Sequence, residues 1–165
     1  MGATALLATS VLAQCLTGRY RHRVMDQQQA CYTLIDRAKE TLAEAAVLSQ
    51  SGYRFGAMNR LYYACFYAVS ALLLSEGISS SKHTGVISLF DQHWIKPARL
   101  PREMGKFYRK LFDLRHQGDY AGLLGVGDAE MLELQEQARR FIENIEKTLQ
   151  VKDSEPYHGA TEVDT

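Results

Sequence analysis

Four groups of residues in this chain have the types and spacing that chemistry needs. The first is Arg115-His116-Gln117-Gly118-Asp119-Tyr120, at the end of an apolar-periodic segment. Arginine offers a planar fork that matches a phosphate or a carboxylate. The same spacing fits an Arg115–Asp119 pair that merely staples a loop, and spacing alone leaves both readings open. The second group is Ser81-Lys82-His83. It opens a short helical pattern, and a helix N-terminus attracts anions through its free amides and dipole. Lys82 and His83 add positive charge there. A capped turn with solvated side chains is the plainer alternative. The third is a basic run from Lys96 to Arg115, with seven basic residues against two acidic ones. Within it Arg102, Lys106 and Arg109 share a helical face, a stripe that can follow a phosphate backbone or simply face water. The fourth is a narrow polar arc, Asn59, Arg60, Tyr63, Tyr67 and Ser70, on an otherwise apolar helix. Its tyrosines can stack bases, pack a dimer or complete core hydrogen bonds. Arg60 is hard to bury without an acid, which predicts a network, with Asp119 as one partner, or a symmetric interface.

The rest of the composition narrows the classes. The chain has 165 residues, 46% hydrophobic and 23% charged, with zero formal net charge. This is the composition of one ordinary globular domain. Cys15, Cys31 and Cys65 are odd in number and far apart. They indicate neither a disulfide framework nor a zinc site, and a cytoplasmic protein is the expectation. There is no phosphate-binding glycine loop, HExxH, GxSxG or acidic cluster for two metals. No metal and no cofactor are expected, and no membrane span.

The elements that must position these groups read as helices throughout, since no segment alternates with period two. Residues 3–16 are apolar-rich, but no Lys or Arg precedes them as a secretory signal requires. Residues 1–24 are therefore expected to lie outside the fold, with Met25 as the natural beginning. Gln27 to Ser51 is amphipathic, with Leu34, Ala38, Leu42, Ala45 and Leu48 on one side, and Gly52 ends it. The organising helix runs from Tyr53 to Gly77 and is apolar around most of its circumference, including Phe55, Met58, Leu61, Tyr62 and Cys65. A third, shorter helix spans about Lys82 to Gln92 and is broken at Trp94-Ile95-Lys96-Pro97. A fourth opens at Pro101 and ends near Gln117-Gly118. The glycine-rich stretch from Asp119 to Gly127 reads as a loop. Asp128 caps a fifth helix with the stripe Leu134, Ala138, Phe141, Ile145 and Leu149. The predicted fold is all-α, an up-and-down bundle of four main helices plus one short one over residues 25–152. Residues 153–165 are expected to form an acidic disordered tail.

Several ordered motifs together resemble the HEPN superfamily, in particular its small stand-alone branch of unassigned function that is associated with minimal nucleotidyltransferases. They are Ala57-Met58-Asn59-Arg60-Leu61-Tyr62-Tyr63-Ala64 with Phe66 and Ala71-Leu72-Leu73, then Gly77-Ile78, Lys82-His83-Thr84-Gly85-Val86-Ile87 and Phe90. Leu111-Phe112-Asp113-Leu114-Arg115 and Asp119-Tyr120 close the series. The resemblance covers roughly Met25 to Gln150. It implies a helical bundle that forms a homodimer, and a minimal nucleotidyltransferase as partner in a toxin–antitoxin-like pair. Many such proteins are metal-independent ribonucleases that use an Arg, four to six residues, then a His. The His acts as acid or base and the Arg stabilises phosphate charge. Here Arg115 fits the arginine position, but Asp119-Tyr120 stands where the His would fall. His116 follows Arg115 directly and points about 100° away around a helix. In some relatives a tyrosine just after the motif receives AMP, and Tyr120 matches it by position.

The expected function is therefore a dimeric component that binds nucleic acid or a nucleotidyltransferase. The alternatives are a metal-independent ribonuclease toxin and a purely structural dimerisation module. The catalytic candidates are Arg115, Asp119 and His83. The candidates for RNA or partner binding are Asn59, Arg60, Tyr63, Lys82, Tyr120, Arg102, Lys106 and Arg109.

Overall fold

The computed structural model describes the backbone of residues 3–121 and 126–154 and the side chains of residues 24–116 and 126–152. Five helices follow one another: α1 (Ala3–Gln50), α2 (Arg54–Leu74), α3 (His83–Phe90), α4 (Arg102–Ala121) and α5 (Asp128–Ser154). A π-helical turn, Asp91–Ile95, continues α3. No strand occurs among the described residues, so the all-α expectation holds. α1 continues upstream of Met25 as one helix from Ala3. The acidic-tail expectation falls mostly on residues 155–165, outside the described residues.

α2 is the hub. It packs against α1, α3, α4 and α5. Ala57, Ala64, Ala68 and Ala71 are buried along one edge, where the absence of bulk lets neighbouring backbones approach. Gly56 carries this furthest: a Cβ there would lie 3.3 Å from a Leu48 methyl of α1. Met58, Leu61, Tyr62, Cys65, Val69, Leu72 and Leu73 fill the core from the other directions. Phe55, placed by periodicity on the apolar side, is instead exposed. It lies in the first turn, before the neighbouring helices close over α2.

α1 and α2 end in the same way. Gly52 (φ +81°) and Gly77 (φ +71°) take the left-handed conformation. The Tyr53 N–H then bonds back to the Leu48 carbonyl at 2.8 Å, and the Ile78 N–H to that of Leu73 at 3.0 Å. These bonds satisfy carbonyls that a helix end otherwise leaves open. The first of them turns the chain tightly enough to make α1 and α2 an antiparallel hairpin.

Two further boundaries differ from the sequence reading. α3 does not stop at Gln92, because the chain stays helical with wider hydrogen bonding through Ile95. That π turn buries Trp94 and Ile95. α4 does not end near Gln117-Gly118 but continues through Ala121. Asp119 and Tyr120 therefore stand on a helix, not in a loop. A single glycine costs a helix only about 1 kcal/mol relative to alanine, too little to stop one already anchored by Met104, Tyr108 and Leu111, all buried.

The start of α3 tolerates little change. The Ser80 hydroxyl accepts from the Lys82 N–H and donates to the Lys82 carbonyl, both at 3.2 Å. A Cβ on Gly85 would fall 2.2 Å from that hydroxyl oxygen and 3.1 Å from the Ser80 Cβ. Gly85→Ala should therefore displace the serine, break both bonds and cost about 1–2 kcal/mol. For a chain of this size that corresponds to a Tm drop of about 2–8 °C. Adding Ser80→Gly should recover part of the loss. A thermal melt of Gly85→Ala indistinguishable from the parent protein would refute this account of the turn.

Candidate functional site

The polar arc of α2 is neither core nor open surface. Asn59, Tyr63, Tyr67 and Ser70 are all half-buried. They form a strip along α2, here termed the groove, with contacts to α1 on one side and to α3 and α4 on the other. Contacts fix both walls. On the α1 side, Arg60 meets Glu44 at 3.3 Å and the Arg37 guanidinium lies over the Tyr67 ring at 5.2 Å. On the other side, Arg115 of α4 donates from Nε to Asn59 Oδ1 at 3.1 Å. His83, the first residue of α3, meets Tyr62 there.

Arg115 is held by an amide and two aromatic rings. Its guanidinium carbon sits 5.2 Å from the ring centroids of both Tyr62 and Tyr63. Asn59 takes its Nε–H, and among the described residues no hydrogen bond reaches its terminal amino groups. Among the described residues, no carboxylate lies within ion-pair distance of it. A cation positioned by an amide and two aromatic faces keeps its full charge.

His83 is positioned by Tyr62. The Tyr62 hydroxyl is 3.0 Å from His83 Nδ1. The ring also packs on Phe66 (centroids 4.7 Å apart) and edge-on to Tyr63 (5.6 Å). Tyr62 itself is fully buried and lies parallel to Tyr108 at 5.8 Å. Burial pushes the Tyr62 phenol up to about 12, so it is protonated, and it donates to Nδ1 or accepts from it according to the His83 tautomer. In the tautomer in which Tyr62 donates, the neutral imidazole carries its own proton on Nε2. Among the described residues no hydrogen bond reaches that nitrogen.

Burial, then the Arg115 and His116 charges, lowers the His83 pKa below its usual value. The imidazole is therefore neutral at pH 7. A histidine that binds its proton less readily folded than unfolded opposes folding once the unfolded chain protonates. Its stability contribution is whole above about pH 6.5, the ordinary His value, and declines as pH falls below it. Urea melts at pH 7.5 and pH 5.5 should show this loss, and His83→Gln should remove it. An identical pH dependence in that variant would overturn the assignment.

The other candidates are dispersed. Arg60 is not buried: its side chain is 41% exposed and turned to Glu44 of α1, away from Arg115. Lys82 is exposed at the N-cap of α3 and provides no side-chain cap. Arg102, Lys106 and Arg109 are exposed on α4, and Arg109 is engaged by Asp91. By helical register this stripe lies about 150° around α4 from Arg115, so it does not converge on the groove. Asp119 falls one helical turn beyond Arg115, on the same side of α4, with Tyr120 next to it. Their side chains lie outside the described residues. His116 is exposed, edge-on to Phe112 at 4.4 Å.

Two groove residues escaped the sequence reading. Tyr62 was counted with the apolar circumference. The available signal was its hydroxyl, which needs a partner wherever it is buried. Arg37 lies on the polar side of an amphipathic helix, and no spacing within α1 points to Tyr67.

The five helices thus bring together on one side of α2 an arginine with no described carboxylate beside it and a neutral histidine held by Tyr62, which defines an all-α bundle with a polar, aromatic-lined site. Comparison with known proteins makes the class specific. Residues 32–153 match the HEPN domain family, and the chain belongs to it. A UPF0332 protein of Thermotoga maritima is 40% identical over 114 residues, covering 69% of this chain and 86% of that protein. A Gloeobacter violaceus UPF0332 protein is 42% identical over 92 residues, 54% of this chain and 71% of its own. A Methanocaldococcus jannaschii protein, whose name describes it as a candidate toxin, is 30% identical over 116 residues, 70% of this chain and 79% of its own. Among the described residues no helix is long and apolar enough to cross a membrane.

Proposed function

We propose that this HEPN protein is the toxin-like member of a two-gene pair and that its groove holds a phosphodiester of RNA. The observation that carries the reading is the pairing of Arg115 with His83. Arg115 presents a fork with no carboxylate beside it among the described residues, and His83, in the tautomer in which Tyr62 donates to Nδ1, presents an Nε2–H that can donate to a phosphate oxygen. Tyr63 offers a ring against which a base can stack. The names given to relatives such as the Methanocaldococcus protein support the toxin-like part.

The same geometry favours binding over acid–base catalysis. A general base needs a nitrogen without a proton, and in that tautomer it is Nδ1, which Tyr62 occupies. A general acid near pH 7 needs an imidazolium, and the lowered pKa of His83 works against it. The protein then acts by sequestering RNA, as a dimer, with a minimal nucleotidyltransferase as its regulator. Tyr120, in the last turn of α4, is the residue that enzyme would modify with AMP.

Purification from its native source under mild salt tests this directly. Recovery of RNA or of a nucleotidyltransferase with a dimeric protein is expected. A clean monomer that retains neither would refute the reading. Metal-independent cleavage of single-stranded RNA, lost in Arg115→Ala, would replace sequestration with catalysis.

A further inference from the structure

The arginines whose side chains are described fall into two sets. Arg54, Arg60, Arg99, Arg109, Arg139 and Arg140 each have a carboxylate within ion-pair distance. Among the described residues Arg37, Arg102 and Arg115 have none. Arg102 projects from the surface of α4. Arg37 and Arg115 instead lie over tyrosines of the same α2 arc, Arg37 over Tyr67 and Arg115 over Tyr63, each at 5.2 Å. They come from opposite walls of one groove. The Tyr63 and Tyr67 rings that join them are 6.2 Å apart.

We propose that Arg37 and Arg115 are the two ends of one track for single-stranded RNA, each holding a different phosphate of the same strand. The proposal rests on the RNA-binding reading above and adds a second contact and a length. An arginine seated on an aromatic face keeps its charge for an incoming anion, whereas one paired with a carboxylate does not. The Tyr67 hydroxyl, and more weakly Glu40 and Glu44 on α1, raise the Arg37 pKa, but neither carboxylate reaches ion-pair distance and Glu44 is engaged by Arg60. From Asn59, which holds Arg115, to Tyr67, which carries Arg37, α2 advances about 12 Å at 1.5 Å per residue. A stacked strand advances about 3.4 Å per nucleotide, so the track spans about three nucleotides, fewer if the bases splay apart. Tyrosine faces along it stack any base, so the track has little sequence preference. A mononucleotide fills only the Arg115 end, while a short oligonucleotide reaches both.

Binding of uridine 3′-monophosphate and of a four-residue uridine oligonucleotide separates the two claims. The full-length protein is compared with Arg37→Ala and Arg115→Ala. Arg37 is exposed, so its removal leaves the fold intact, which a thermal melt verifies. Arg37→Ala should weaken the tetranucleotide about five- to tenfold and reduce its salt dependence by about 0.7 in log–log slope, the share of one phosphate contact on a single strand. Its affinity for the mononucleotide should stay within about twofold. Arg115→Ala should weaken both ligands. Unchanged tetranucleotide binding in Arg37→Ala would overturn the track and leave the Arg115 site standing. So would an equal loss on both ligands, because Arg37 would then act on the Arg115 site. A parent protein that binds neither ligand would overturn both readings.

Discussion

Arg115→Ala is expected to weaken RNA binding about ten- to a hundredfold while moving the Tm by only a few degrees. The size follows from the contact removed. A charge-assisted hydrogen bond contributes about 1.5–3 kcal/mol, and each 1.4 kcal/mol is about tenfold in affinity. The fold loses little, because Arg115 lies at the groove edge and its structural ties are one bond to Asn59 and two ring faces. Arg115→Lys should fall between the two proteins, since lysine keeps the charge but not the fork. Titration of a labelled oligonucleotide at fixed ionic strength measures the effect. Equal affinities for Arg115→Ala and the parent would place the RNA elsewhere on the molecule.

Tyr62 carries the largest expected effect on stability, and two substitutions separate its roles. Its ring is fully buried and touches Tyr63, Phe66, His83, Tyr108 and Phe112. Tyr62→Ala should cost about 3–5 kcal/mol, the range for emptying a buried aromatic site. That lowers the Tm by about 6–20 °C. Tyr62→Phe keeps the packing and removes only the hydrogen bond to His83, worth about 1 kcal/mol. Its signature is chemical. With Nδ1 released, the His83 proton is shared between both ring nitrogens, and the imidazole nitrogen resonances should shift. RNA affinity should fall only severalfold, because Arg115 remains in place. Imidazole resonances unaltered in Tyr62→Phe would show that Tyr62 does not set the His83 tautomer.

Much of the fold could be read from the chain because its helices carry their signals locally. The α5 stripe of Leu134, Ala138, Phe141, Ile145 and Leu149 is buried throughout, and the glycines that end α1 and α2 stand where the sequence placed them. The π turn could not be read, because it depends on how Trp94 and Ile95 find room in the core. Nor could the true end of α4, since Gly118 signals a stop that the anchored helix overrides. The site was half legible. The motifs around Asn59, Tyr63, His83 and Arg115 pointed to residues that the fold brings into one groove. Tyr62 and Arg37 enter it through contacts between elements far apart in sequence, and periodicity within one helix is silent about those. The Arg102, Lys106 and Arg109 stripe shows the reverse case. A pattern suited to phosphate lies on a face that the groove does not share.

Trp94 gives the far end of the bundle a built-in spectroscopic reporter. It is the only tryptophan in the chain. Its ring lies beneath the Arg99 guanidinium at 3.7 Å, with the Lys152 ammonium at 5.3 Å. Both cations also meet Glu76, at 2.7 and 3.1 Å, after the end of α2. The indole thus sits where the end of α2, the π turn and the last turns of α5 are tied together. Its emission reads whether α5 is docked, whereas far-ultraviolet dichroism reads how much helix survives. Coincident transitions by the two signals would mean that the bundle opens as one unit. An earlier emission change would mean that α5 lifts off first, with the groove at the opposite wall of α2 still assembled.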